Sequence, residues 1–260
     1  MTEVQALILG ILQGLTEFLP VSSSGHLEIG HALLGIKSDN NLLFAVVVHV
    51  ATVLSTLVVF RKDLFILFRD LFAFQWNEST IYISKLLLSS VPVVILGLFF
   101  KDEIEQFFTG NLVFVGSMLL ITASLLSFAH FSKKGESRIT FGKSVIIGIA
   151  QAIAVLPGIS RSGATIATGL LLKTKKDEVA RFSFLMVLIP ILGAAFLDIV
   201  GGEITSNEKI GIIPLLVGFL AAFISGLLAC SWMINIIKRG KLIYFAIYCL
   251  IIGLIAIFAA

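Results

Sequence analysis

The sequence predicts an all-α integral membrane protein, with six transmembrane helices plus two re-entrant helix-loop-helix pairs arranged as an inverted-topology repeat. Of its 260 residues, 58% are hydrophobic and 13% are charged, which is too little polar surface for a water-soluble globule. Six apolar stretches approach the 20 or so residues that a spanning helix needs, and two shorter ones are broken by polar residues. We therefore predict a single membrane domain over residues 1–260, with a first inverted repeat at 1–130 and a second at 131–260.

Each predicted element follows from an apolar run and its ends. The spans are predicted at residues 42–60, 81–100, 111–130, 182–200, 210–230 and 242–258. Residues 64–74 are amphipathic and too short to span, so they predict a helix in the membrane interface. The first apolar segment has Glu3 where a signal peptide would carry Lys or Arg, so it is expected to remain in the mature protein.

The two broken stretches resemble each other at a fixed spacing. GILQGLTEFLPVSSSGHLEIG begins at Gly10, and GIAQAIAVLPGISRSGATIATG begins 138 residues later at Gly148. Each apolar run breaks at a proline, Pro20 or Pro157, and then resumes as a second short run. Irregular backbone at membrane depth is tolerated only where protein or a watery cavity surrounds it. We therefore predict that both breaks meet at the interface between the repeats.

The distribution of Lys and Arg predicts the orientation in the membrane. Fourteen of the 19 basic residues fall on one side when the loops after the first, third and fifth spans and the segment after the second re-entrant pair are grouped together. Only Lys37, Lys101 and Lys209 fall on the other side. The richer side is predicted to be cytoplasmic. The first re-entrant pair then opens to the exterior and the second to the cytoplasm, which makes the halves inverted copies.

Composition also excludes some functions. The formal net charge is +3, but the basic residues lie in short loops and form no patch, so we expect no nucleic-acid partner. Cys230 and Cys249 lie within apolar segments without the spacing of metal ligands, so they are expected to be buried packing residues without a redox role.

Two polar side chains share a helix face in the first broken stretch. Gln13 and Glu17 are four residues apart, and Gly10 and Gly14 on the same face allow close packing. A carboxylate inside a membrane is unfavourable and usually functional, so we favour a functional Glu17 over a structural ion pair. For Gln13, a role in the site and a role as a bridge between helices remain equally open.

The break itself offers hydroxyl and amide groups. Ser22, Ser23, Ser24 and Gly25 directly precede a second helix, where free N–H groups and the helix dipole favour a phosphate. Ordinary N-capping is the alternative for any one serine. Three serines in succession favour a combined role in capping and anion binding.

Histidines near this break are candidates for proton transfer. His26 follows the serines in the first turn of the second helix, where it is a candidate base or nucleophile rather than a packed ring. His49 falls in the middle of the first predicted span. Supporting the site and bridging helices are equally open for His49.

The second break supplies a cation. Arg161 is the only arginine outside the loops and their margins. A buried guanidinium needs an anion, and its planar fork suits two phosphate oxygens. The neighbouring Ser160, Ser162, Gly163 and Thr165 are candidate substrate ligands through their hydroxyl and amide groups. A structural pairing with Glu17 is the alternative, and one arginine can serve both roles.

At these residues the sequence resembles a known family. QGLTEFLPVSSSGH and LPGISRSGAT resemble the two signature motifs of the undecaprenyl-diphosphate phosphatase family, also called the bacitracin-resistance family. The resemblance covers nearly the whole chain, and both motifs in this order are highly specific. It implies a phosphatase of the bacterial cytoplasmic (inner) membrane whose active site faces the periplasm or exterior. Such an enzyme hydrolyses undecaprenyl diphosphate to undecaprenyl phosphate and phosphate, which recycles the lipid carrier for peptidoglycan and confers bacitracin resistance.

The resemblance also implies roles for individual residues. The catalytic set would be Glu17, Ser23, His26 and Arg161, and the substrate-binding set Ser22, Ser24, Gly25, Ser160, Ser162, Gly163 and Thr165. A divalent cation, Mg²⁺ or Ca²⁺, would bind Glu17 with Gln13, although many members have Glu at the position of Gln13. Attack by water or by serine remains open, as does a homodimer. The alternative function is a secondary transporter or lipid flippase, which shares inverted repeats and broken helices.

Overall fold

The structure is a computed structural model that describes residues 1–36, 42–73, 75–108, 110–133, 135–200 and 210–259. These residues form helices, and their only β-type pairing is an isolated bridge between Ser137 and Thr174. The predicted all-α class is confirmed. The helices are α1 Glu3–Phe18, α2 Ser23–Leu33, α3 Leu42–Val59, α4 Arg61–Leu71, α5 Glu78–Phe99, α6 Lys101–Glu105, α7 Leu112–Phe131, α8 Phe141–Ile153, α9 Arg161–Leu171, α10 Lys176–Met186, α11 Leu188–Val200, α12 Ile212–Arg239 and α13 Ile243–Phe258.

Within the described residues, four helical segments are long and apolar enough to cross a membrane. They are α5, α7, α12 and the segment Lys176–Leu197, in which α10 and α11 run on through a turn. The bent pair α3 and α4 adds a fifth if it counts as one span, with an angle of 78° between its helices. The sixth predicted span corresponds to α13, an apolar helix of 16 residues. The count of six spans therefore stays a prediction, as does the interfacial location of α4.

Large apolar side chains remain exposed along the long helices. On α12, Leu220, Ile224 and Leu228 are 54%, 57% and 68% exposed and follow one another at intervals of four residues. Residues at this spacing share one helix face. An apolar stripe of this kind would be unfavourable in water and suits contact with lipid chains.

The two broken stretches form short helix pairs, as the sequence predicts. Ser22 caps α2, and its Oγ accepts a hydrogen bond of 3.2 Å from the Gly25 N–H. Ser160 caps α9 in the same way, with 3.0 Å to the Gly163 N–H. Each break therefore places a serine at the N-cap and the following residue at the first helical position.

Glycines allow the first helix of each pair to pack closely on a long helix from the other half of the chain. A Cβ atom at Gly10 of α1 would lie 2.5 Å from the Gly218 carbonyl oxygen of α12. A Cβ atom at Gly148 of α8 would lie 2.3 Å from the Ser89 carbonyl oxygen of α5. These distances are shorter than any side chain allows, so the packing requires glycine.

Candidate active site

Glu17 lies in the last turn of α1, directly before the first break. Its Oε2 atom accepts hydrogen bonds from the Ser23 hydroxyl at 2.5 Å and from the Gln13 amide nitrogen at 3.0 Å. The chain turns back at Pro20, so the first residue of α2 lies against the last turn of α1. The side chain of Glu17 is only 7% exposed. The first broken stretch therefore contains a buried carboxylate that accepts hydrogen bonds from two side chains of the same stretch, Gln13 and Ser23.

His49 of α3 approaches the same carboxylate. Its Nε2 atom is 3.7 Å from Glu17 Oε2, and its Nδ1 atom is 2.8 Å from the Ala45 carbonyl oxygen. A hydrogen bond to that carbonyl requires the Nδ1 atom to carry a proton. The structure thus places His49 beside the candidate site, which favours the supporting role over a bridge between helices.

Arg161 lines one cavity together with Glu17, although the two residues come from different halves of the chain. Hydroxyl-bearing side chains and apolar side chains form the rest of the lining, namely Thr52, Thr56, Ser162, Thr165, Ser183, Phe18, Val53, Phe184, Val187 and Ile191. The two breaks converge, as their internal similarity predicted, and this brings the Glu17 carboxylate and the Arg161 guanidinium to one cavity.

The guanidinium of Arg161 is uncommitted. Arg161 is the first residue of α9, and no ion pair or side-chain hydrogen bond joins its guanidinium to the part of the chain that the structure describes. The charges of Arg161 and Glu17 interact across the cavity, but no direct ion pair joins the two side chains among the described residues. An arginine held in this way inside a membrane protein is available to bind an anion.

The hydroxyls that the sequence assigns to substrate binding divide into two groups. Ser162 and Thr165 line the cavity with Glu17. Ser22 and Ser160 do not, because they cap helices, and Ser22 Oγ also accepts a hydrogen bond of 3.1 Å from the Gly158 N–H. The remaining members, Ser24, Gly25 and Gly163, lie in the same caps, with Ser24 Oγ 3.4 Å from Ser22 Oγ. N-capping, the alternative role that the sequence analysis gave for these serines, therefore accounts for much of the predicted substrate-binding set.

His26, a member of the predicted catalytic set, is not among the residues that line this cavity. Its Nδ1 atom is 2.8 Å from the Ser22 carbonyl oxygen, and its Nε2 atom is 2.9 Å from the Tyr248 hydroxyl. The ring also stacks on Tyr248 of α13, with centroids 5.5 Å apart. Polar partners on both sides therefore hold the His26 ring against Tyr248 of α13.

The oxygen atoms of Glu17 and Gln13 are suitable ligands for a hard divalent cation. The Gln13 Oε1 atom is buried and has no hydrogen-bond partner among the described residues, and Glu17 supplies a carboxylate next to it. Mg²⁺ and Ca²⁺ prefer such oxygen ligands and complete their coordination with water and substrate oxygens. No cluster of three or more His, Cys, Asp or Glu side chains suited to a metal occurs in the described ranges. The fit is therefore to an ion held by few protein ligands.

Sequence reasoning missed the hydroxyl groups that α3 and α10 contribute. Thr52, Thr56 and Ser183 line the cavity, yet they lie outside both motifs. Their only sequence signal is a hydroxyl inside an otherwise apolar span. Which such residues face a site depends on how the spans pack against the two breaks.

Together, the fold and the site define a multi-pass helical membrane protein with an internal carboxylate and an uncommitted arginine at the junction of two broken helix pairs. Residues 6–255 match the family described as Bacitracin resistance protein BacA. The chain belongs to this family.

Relatives of known name cover nearly the whole chain. It is 58% identical over 258 residues to an undecaprenyl-diphosphatase of Bacteroides fragilis, covering 97% of this chain and 96% of that protein. It is 57% identical over 261 residues to an undecaprenyl-diphosphatase of Parabacteroides distasonis, covering 99% and 98%. A more distant undecaprenyl-diphosphatase, from Carboxydothermus hydrogenoformans, is 38% identical over 258 residues, covering 97% and 95%. The family resemblance expected from the two motifs is confirmed.

Proposed function

We propose that this protein is a membrane phosphatase that hydrolyses undecaprenyl diphosphate to undecaprenyl phosphate and inorganic phosphate. The observation that carries the proposal is the shared cavity of Glu17 and the unpaired Arg161, in a chain whose relatives are named undecaprenyl-diphosphatase. The reaction recycles a lipid carrier for envelope polymers such as peptidoglycan. Resistance to bacitracin fits the description of the family.

In the proposed mechanism, Arg161 binds the diphosphate. Its planar fork grips two phosphate oxygens and neutralises charge as the bridging P–O bond breaks. The cavity between Arg161 and Glu17 has a volume of about 20 Å³, which admits about one water molecule. Binding a diphosphate therefore requires these side chains to move apart, and the substrate tail lies between the helices in contact with membrane lipid.

Glu17 is the residue placed to accept a proton. Its Oε2 atom already accepts the hydrogen bond from the Ser23 hydroxyl at 2.5 Å. If a water molecule attacks the terminal phosphorus, its proton passes to this atom and the products form in one step. If Ser23 attacks, its proton passes to the same atom, undecaprenyl phosphate leaves, and a water molecule then hydrolyses the phosphoserine to release inorganic phosphate. His26, whose ring nitrogens face Ser22 and Tyr248, serves to hold α2 against α13 rather than to act as the base.

The proposed cofactor is Mg²⁺ or Ca²⁺, held by Glu17 and the free Gln13 Oε1 atom. Such an ion supplies positive charge that stabilises the phosphate oxygens during cleavage.

We propose that the halves form an inverted repeat with six spans. Two contacts between the breaks support this arrangement. At the spacing of 138 residues, Gly25 corresponds to Gly163 and Pro20 to Gly158, so each contact is the counterpart of the other. A Cβ atom at Gly25 would lie 3.0 Å from Gly158, and one at Gly163 would lie 3.3 Å from Pro20. On α7 and α13, Gly116 and Gly253 face each other reciprocally, with hypothetical Cβ distances of 2.6 and 2.9 Å to the opposite carbonyl oxygen. Such pairs are expected near a pseudo-two-fold axis.

We also propose that the protein lies in the bacterial cytoplasmic membrane with its site open to the exterior, since this follows from the charge count. Lys37 and Lys209, two of the three basic residues on the outer side, lie outside the described residues. Exposed positions on each side provide a test. Single cysteines replacing Gln106 and Lys133 are expected to react oppositely with an impermeant thiol reagent in intact cells, with position 106 labelled and position 133 protected. The reverse pattern would contradict the orientation.

The direct test of the proposed function is phosphate release from undecaprenyl diphosphate by the purified protein in detergent. Binding or movement of the lipid without phosphate release would instead support the transporter or flippase alternative.

A further inference from the structure

Five hydroxyl groups line the cavity shared by Glu17 and Arg161, and four of them already donate to the backbone. The distances are 2.8 Å from Thr52 to the His49 oxygen, 3.1 Å from Thr56 to the Thr52 oxygen, 3.2 Å from Ser162 to the Leu19 oxygen and 2.9 Å from Thr165 to the Arg161 oxygen. A hydroxyl has one proton. In the arrangement observed, the protons of these four groups are directed to the backbone, so the groups present lone pairs to the cavity.

Ser183 is the exception. It lies on α10, it is only 4% exposed, and its hydroxyl has no hydrogen-bond partner among the described residues. Most other buried serines within helices donate to a carbonyl of the preceding turn, as Ser90 does to Leu86 at 3.0 Å. An unpaired hydroxyl in a protein interior is unfavourable. A buried polar group that lacks a partner and faces a site is a candidate ligand contact.

The unpaired Ser183 hydroxyl matches the hydrogen-bonding needs of a diphosphate. Its oxygens are acceptors, so a site for it needs donors, and lone pairs from hydroxyls repel it. Among the described residues of the cavity lining, the uncommitted side-chain donors are the Arg161 guanidinium and the Ser183 hydroxyl. We propose that Ser183 donates a hydrogen bond to a phosphate oxygen of the substrate beside Arg161. This inference rests on the proposed function.

The packing of α9 on α10 supports the pairing of these donors. A Cβ atom at Gly169 of α9 would lie 2.8 Å from the side chain of Val179 on α10, so the two helices are in close contact. Phe184 and Val187 give the cavity an apolar wall next to Ser183. A hydrogen bond to a charged oxygen is stronger in such surroundings than in water. Ser183 thus extends the binding group beyond the two sequence motifs.

The test compares Ser183→Ala with the wild type in steady-state phosphate release. Loss of a hydrogen bond to a charged group is expected to lower kcat/KM by about 10-fold to about 100-fold. The change falls mainly on KM, because the phosphate oxygen is negative before and during bond cleavage. Ser183→Thr, which keeps the hydroxyl, is expected to recover part of the loss. Ser90→Ala serves as the matched control, since Ser90 is also a buried serine and does not line the cavity.

Thermal unfolding separates ligand binding from a structural role. Removing an unpaired buried hydroxyl should leave the Tm of Ser183→Ala unchanged or raise it. A Tm that falls together with activity, or a Ser183→Ala variant with wild-type kcat/KM, would overturn the inference. A wild-type protein that releases no phosphate would instead overturn the proposed function itself.

Discussion

Replacing Arg161 with lysine is expected to slow phosphate release by about 30-fold to about 1000-fold while the protein still inserts and folds. Lysine keeps the positive charge but cannot grip two phosphate oxygens at once. The range corresponds to roughly 2 to 4 kcal/mol for one charge-assisted bidentate contact. Because the guanidinium has no ion pair or side-chain hydrogen bond to the described residues, the substitution removes no internal contact of that kind.

A matched substitution separates this effect from a general response to losing arginine. Arg138 is 78% exposed and pairs with an exposed Glu78, so Arg138→Lys should retain wild-type turnover. Kinetics and thermal unfolding in detergent, measured on both variants, provide the comparison. Near-normal turnover in Arg161→Lys would mean that the arginine supplies charge alone, and the bidentate role would have to be abandoned.

Replacing Glu17 with glutamine is expected to lower phosphate release by at least about 100-fold. Glutamine has nearly the same shape, but it is a poor proton acceptor and carries no charge to attract a divalent cation. Electrostatic stabilisation by a bound metal ion is itself worth several kcal/mol. If Glu17 holds the cation, raising the Mg²⁺ or Ca²⁺ concentration should restore part of the activity of Glu17→Gln.

The response to added metal separates the roles of the two residues. Arg161→Lys should gain nothing from added Mg²⁺, because its defect lies in gripping phosphate. Glu78→Gln, at a side chain that is 90% exposed, is the control for loss of a carboxylate and should behave as wild type. Equal rescue of the glutamate and arginine variants would indicate a general loss of site geometry and would contradict the division of roles.

The parts of the site that sequence could predict are those built from neighbouring residues. Gln13 and Glu17 lie one helical turn apart, and Pro20 turns the chain so that Ser23 meets the carboxylate. The internal similarity of the two breaks predicted that Arg161 would meet Glu17 where the breaks converge, and the structure places both residues in one cavity. Local spacing and an internal repeat carry this information without any knowledge of how the spans pack.

The parts that sequence could not predict depend on packing between distant helices. His26 is next to the serines in sequence, but its ring is held by Tyr248, more than 200 residues away. His49 and Ser183 reach the site because α3 and α10 pack against the breaks, and a hydroxyl in an apolar span has no pattern that marks its direction. The apolar segment predicted to begin at residue 182 begins as a helix at Lys176, since polar first-turn residues do not stop a helix.

Phosphate release from undecaprenyl diphosphate tests the central claim most directly, which is that the two breaks form one site for diphosphate hydrolysis. The purified wild type and the double variant Glu17→Gln, Arg161→Lys would be compared in detergent, with and without a chelator. We predict that the wild type releases one phosphate for each undecaprenyl phosphate formed, that the chelator suppresses this release and that the double variant stays near background. No release by the wild type, or equal release by the double variant, would contradict the account.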